Sequence, residues 1–153
     1  TSIGLLVAKK LKLKFIDIDH EIVKELGIKI SDIFETKGEV YFRSIEEKIT
    51  LKILKKNNIV VSLGGGAFLN NNIKKEVLKN HLSFWLNWNI KTLINRIKNN
   101  KKRPIAYKAN VNELIEIIKK RSFIYSNAIY KIQCENCTKN EIVNKILDIY
   151  ENH

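Results

Sequence analysis

Two aspartates one residue apart, Asp17 and Asp19, close a short β-rich run, Lys14-Phe15-Ile16-Asp17-Ile18. In an extended backbone the side chains at i and i+2 share a side, so the spacing predicts two carboxylates facing one pocket. Such a pair repels unless a cation lies close, which calls for a metal ion or an arginine nearby. Asp19 alone would also suit the N-cap of the helix that follows. Further along, Gly64-Gly65-Gly66 follows the apolar run Ile59-Val60-Val61-Ser62-Leu63. Three glycines cost backbone entropy and supply no packing, so they fit a turn that a ligand approaches closely, the alternative being a plain turn. Arg43, Arg96, Arg103 and Arg121 stand in a chain that otherwise uses lysine. A guanidinium grips a carboxylate or phosphate with paired hydrogen bonds that an ammonium cannot reproduce. The alternative for each is a surface ion pair, such as Arg43 with Glu46 or Glu47.

The elements that must position these groups alternate between helix and strand. The opening residues place Ile3, Leu6, Val7 and Lys10 on one helical stripe. A first strand over 14–18 leads into a helix that stops at Gly27. Ser31 can cap a short helix that Gly38 breaks, and a long amphipathic helix over 39–56 follows, with Val40, Ile45, Ile49, Ile53 and Leu54 near a 3.6-residue period. The run 59–63 reads as a strand covered on both faces. A helix over 72–78, a strand over 83–86 and a helix over 90–98 come next. The polar stretch 99–110, which holds Pro104, reads as a mobile loop. A helix over 111–125, a strand over 130–133 and a last helix opened by the capping-box residues Thr138 and Glu141 complete the chain. This alternation implies an α/β domain with a parallel sheet between helices, and a ligand site beyond the carboxyl ends of its strands.

Composition narrows the function classes. With 153 residues, 44% hydrophobic and 29% charged, the chain suits one globular domain with one sizeable core. No apolar run approaches the roughly 18 residues of a bilayer span, and nothing at the start reads as a signal peptide. The net charge of +12 admits a nucleic-acid or phosphoanion partner. Its lysines, however, are spread along the chain in pairs, which suits solvated surface. Cys134 and Cys137 cannot form a disulfide framework and point to a reducing cytosol. His20, His81 and His153 offer them no zinc-ligand spacing.

Several segments together resemble the shikimate kinase family: Thr1-Ser2-Ile3-Gly4 with Ala8-Lys9-Lys10-Leu11; Phe15-Ile16-Asp17-Ile18-Asp19; Ile33-Phe34-Glu35-Thr36-Lys37-Gly38-Glu39; Phe42-Arg43-Ser44-Ile45-Glu46; Gly64-Gly65-Gly66; Lys102-Arg103-Pro104-Ile105; and Arg121-Ser122-Phe123-Ile124-Tyr125. They occur in the family's order from the first residue to near the last helix. The resemblance implies a three-layer α/β/α P-loop fold of the nucleoside-monophosphate-kinase type. It implies a single kinase domain over 1–153, with a substrate-binding region near 19–47 and a lid near 99–110. The implied reaction is transfer of a phosphoryl group from ATP to the 3-hydroxyl of shikimate with Mg²⁺, in the cytoplasm, by a monomer with no nucleic-acid or membrane partner. By position, Thr1 and Asp17 resemble the Mg²⁺ ligands, and Thr1 and Ser2 the residues at the nucleotide phosphates. Asp19 resembles the carboxylate that bonds the substrate hydroxyl and takes its proton. Arg43 and Arg121 resemble the clamp on the shikimate carboxylate, and Gly65, between Gly64 and Gly66, the backbone contact to its hydroxyls. Arg103 resembles the lid arginine at the ATP phosphates and Arg96 an arginine near the adenine; Cys134 and Cys137 fall in the loop near that base.

The family's first strand and glycine-rich loop, with its lysine, would lie immediately before Thr1. The sequence is accordingly expected to be a fragment, with strand edges unpaired and little ATP turnover as it stands. Three other readings stay open: a gluconate or nucleotide kinase of the same fold, a basic nucleic-acid-binding module, and a kinase-like domain that binds without turnover.

Overall fold

The structure, a computed structural model, describes residues 1–98 and 110–153. Helix α1 (Ser2–Leu11) runs against strand β1 (Lys14–Asp17), and Gly4 makes their approach possible. A β-carbon there would lie 2.9 Å from the Phe15 ring. Helix α2 (Ile18–Leu26) begins on the residue after β1 and ends at Gly27, whose φ of 70° is the left-handed turn that glycine adopts without strain. Helix α3 (Ile30–Leu54) carries a non-helical Gly38 at φ 80° and ψ 172°, so the expected break is a kink between two helical halves. Strand β2 (Ile59–Ser62) pairs parallel with β1, Asp17 opposite Ser62.

After the glycines, a 3-10 turn (Ala67–Leu69) leads to α4 (Asn71–Asn80), which Asn70 caps. Strand β3 (Phe84–Asn87), helix α5 (Ile90–Lys98), helix α6 (Val111–Tyr125), strand β4 (Tyr130–Gln133) and helix α7 (Lys139–Glu151) complete the chain. Thr138 and Glu141 form the expected capping box of α7. Strand β3 pairs parallel with β4. Among the described residues β2 pairs only with β1, and β3 only with β4.

Apolar packing is divided accordingly. Ile16, Ile18, Ile22, Ile33, Phe42, Ile49 and Ile53 join β1, α2 and α3 into one core. Ile3, Val7, Ile132, Cys134, Ile142, Val143 and Ile146 join α1, β4 and α7 into another. Burying an aliphatic side chain contributes roughly 1.5–3 kcal/mol, so these clusters fix the helices to the strands.

Four expectations need correction. The residues of β2 are half-buried instead of fully covered, because one of its two edges carries no strand among the described residues. Val40 is 86% exposed, since the kink at Gly38 restarts the helix and turns that position to solvent. Ser31 does not cap α3; the N-cap is Lys29, and the Ser31 hydroxyl bonds Asp32. The N-cap of α2 is Asp17, whose carboxylate accepts from the His20 N–H at 3.2 Å, and not Asp19.

Candidate active site

The carboxyl ends of β1 and β2 lie side by side, and the residues that follow each strand form one rim. Because α2 starts at Ile18, Asp17 and Asp19 do not share the side of a strand: one ends β1 and the other lies in the first helical turn. The two carboxylates therefore do separate jobs. Asp17 Oδ2 accepts a 2.7 Å hydrogen bond from the Thr1 hydroxyl. Asp19 reaches across to the glycine turn, and a β-carbon on Gly64 would lie 2.8 Å from Asp19 Oδ1 and 3.0 Å from Glu46 Oε1.

The other two glycines face guanidinium groups, closely at Gly66 and at ordinary contact distance at Gly65. A β-carbon on Gly66 would lie 2.6 Å from the Arg43 Cζ, and one on Gly65 would lie 3.7 Å from an Arg121 nitrogen. A β-carbon at 64 or 66 would therefore push the Asp19 carboxylate or the Arg43 guanidinium off the main chain. Asp19, Arg43 and Arg121, from α2, α3 and α6, converge on one turn of bare backbone.

Arg43 is anchored from below. Its Nη1 donates to Glu46 Oε2 at 2.6 Å, while Nε and Nη2 both donate to Glu39 Oε1 at 3.2 Å. The alternative of an ion pair between Arg43 and Glu46 thus holds, but not at the surface, since Glu46 is 2% exposed. Burial pushes its carboxyl above the usual range, with the Asp19 charge adding to that; Arg43 and Arg121 oppose the shift without cancelling it. Burial pulls the Arg43 pKa down, but its bonds to Glu46 and Glu39 outweigh this and leave it raised. Glu47 instead accepts from Asn70 and Asn72 and takes no part.

Tyr125, one helical turn beyond Arg121, donates its hydroxyl to the Gly65 carbonyl. Among the remaining expected residues, Ser2 opens α1. Arg96 stacks on Trp88, its Cζ 3.6 Å from the ring centroid. Arg103 and the stretch 99–109 lie outside the described residues. Cys134 is buried, and burial pushes its thiol up to about 11, the neighbouring Cys137 adding to the rise. That suits a packing role and not a reactive one.

A sequence model described as shikimate kinase matches residues 1–151. The chain belongs to the shikimate kinase family. A shikimate kinase from Persephonella marina is 40% identical over 147 residues, spanning 96% of this chain and 89% of its own. One from Macrococcus caseolyticus is 42% identical over 130 residues, spanning 85% and 77%. The crystal structure of shikimate kinase from Aquifex aeolicus superposes with a TM-score of 0.89 at 31% identity, covering 99% of this chain and 89% of that one. The Acinetobacter baumannii enzyme in complex with shikimate superposes at 0.91 with 26% identity, covering 99% and 86%. The two parallel strand pairs and their helices are thus an α/β kinase fold of this family.

Family membership implies ATP as phosphoryl donor, and it raises the question of Mg²⁺. Among the described residues no group of three or more His, Cys, Asp and Glu side chains is placed to hold a metal ion. The Thr1 hydroxyl and Asp17 carboxylate do offer two adjacent hard oxygens, the donor type that Mg²⁺ takes while keeping several of its waters. Among the described residues, no helix is long and apolar enough to cross a membrane.

Proposed function

We propose that this member of the shikimate kinase family phosphorylates the 3-hydroxyl of shikimate at the expense of ATP. The observation that carries the reading is the convergence of Asp19, Arg43 and Arg121 on Gly64, Gly65 and Gly66. A small hydroxylated acid needs a cationic grip on its carboxylate, a partner for the reacting hydroxyl and a wall it can approach closely; this turn offers all three.

In this reading Arg43 and Arg121 hold the carboxylate and the Gly65 backbone meets the ring hydroxyls. Asp19 accepts the hydrogen bond of the hydroxyl to be phosphorylated and takes its proton as the new phosphorus–oxygen bond forms and the bond from that phosphorus to the departing ADP breaks. Thr1 and Asp17 would hold Mg²⁺, which when bound neutralises charge on the nucleotide phosphates. Ser2 and Arg103 belong to those phosphates and Arg96 to the base. Phosphoryl transfer depends on positioning and charge neutralisation far more than on covalent help, and fixed carboxylate and guanidinium groups supply both. The whole of 1–153 acts as one kinase domain, with the substrate-binding region near 19–47 and the lid near 99–110. It works as a cytoplasmic monomer on small molecules, without nucleic acid or membrane.

Calorimetric titration with shikimate tests the grip. The reaction is tested by ADP release from ATP on addition of each acceptor in turn. Shikimate-dependent release is expected, with gluconate and nucleoside monophosphates inert; a preference for either of those overturns the assignment.

A further inference from the structure

We propose that Tyr125 is a positioning residue that fixes the peptide plane between Gly65 and Gly66, and so sets how tightly the site reads the hydroxyls of its substrate. Its hydroxyl donates to the Gly65 carbonyl, sixty positions away in sequence. The ring is itself held, with the Phe68 ring centroid at 6.4 Å and that of Trp85 at 6.3 Å. The donor therefore arrives on a clamped support and not on a swinging side chain.

A peptide unit flanked by two glycines turns easily, because neither residue has a β-carbon to restrict it. Downstream, the turn is held by the Gly64 and Gly66 carbonyls, which accept from the Ala67 and Leu69 N–H groups at 3.1 Å each. The Gly65 carbonyl between them is the one that Tyr125 takes. Because the unit is planar and trans, fixing its carbonyl toward Tyr125 aims the Gly66 N–H the opposite way. Arg121 lies four residues earlier on the same helix, so α6 carries both a guanidinium over Gly65 and the strut behind it. A single rigid element thus sets the distance between carboxylate grip and hydroxyl-reading backbone.

This inference rests on the functional reading above, and Tyr125→Phe separates the two because it keeps both ring contacts and removes only the donor. Calorimetry on the full chain would compare shikimate with analogues lacking one ring hydroxyl, alongside the thermal midpoint. The expected result is a five- to twenty-fold weaker affinity of Y125F for shikimate, an unchanged thermal midpoint, and a narrowed gap between shikimate and the deoxy analogues. A side chain that only packed would leave that gap intact. Wild-type binding matched by Y125F, with equal discrimination, overturns the strut alone. A wild-type chain that ignores shikimate overturns the functional reading, and the strut's part in recognition falls with it.

Discussion

Arg43 is gripped by two carboxylates of unequal standing. Glu46 is buried and bonds Nη1, so it fixes where the guanidinium sits; Glu39 is half-exposed and accepts from the Nε–Nη2 edge. That edge is the one a substrate carboxylate would take with paired bonds, so Glu39 competes with the substrate for it. An exposed ion pair one helical turn apart contributes only about 0.3–0.5 kcal/mol, which makes the competitor easy to displace. Glu39→Gln should therefore strengthen shikimate binding about twofold at low salt, with less gain at high salt, as read by calorimetry; weakened binding would show that Glu39 aligns the fork instead. Arg121→Ala acts in the opposite direction. Losing one cation of the clamp should cost about 2–4 kcal/mol of binding free energy, and near-wild-type affinity would remove Arg121 from the grip. Arg121 is the cleaner position for this test, because Arg43→Ala would also leave the buried Glu46 without its partner.

At the scale of elements, the site depends on where helices begin and bend. Gly38, at φ 80° and ψ 172°, lies in a region closed to residues with a β-carbon, and nothing lies within 4 Å of where that carbon would sit. Gly38→Ala thus isolates backbone strain from crowding and should destabilise the fold by roughly 1–3 kcal/mol in urea denaturation. An unchanged midpoint would mean that the kink relaxes at no cost. The glycine break was legible because glycine interrupts a helical pattern wherever it falls, and so were the two strands that open the site. The junction after β1 was not. Apolar periodicity says that a strand gives way to a helix but leaves the first helical residue open, and a shift of two positions moves the cap from Asp19 to Asp17. The same limit exposed Val40, whose phase the kink resets. The roles of Glu46 and Tyr125 were hidden for another reason: an acid three residues after an arginine reads as a surface pair, and a tyrosine one turn after another reads as packing. Only tertiary contact with the glycine turn distinguishes them.

Taken whole, the molecule places an ionisable group inside the core that holds the site, and this ties its stability to pH. Glu46 is flanked on α3 by the buried Phe42 and Thr50, and the Thr50 hydroxyl is buried without a hydrogen-bond partner. Burial, with the Asp19 charge added, raises the Glu46 carboxyl more than Arg43 and Arg121 lower it. In the unfolded chain the same group returns to the ordinary value of about 4.3. Between that value and its raised native one, the folded state keeps a proton that the unfolded state has released. Stability therefore falls as pH rises through this window: the contribution is complete below the unfolded value and is lost once pH passes the native one. Glu46→Gln carries no titrating group and should lack this slope. Urea midpoints measured from pH 4 to pH 8 should show wild-type stability, relative to E46Q, declining as pH rises. A difference that grows with pH would mean that the arginine pairing outweighs burial, and a flat difference that Glu46 titrates alike in both states.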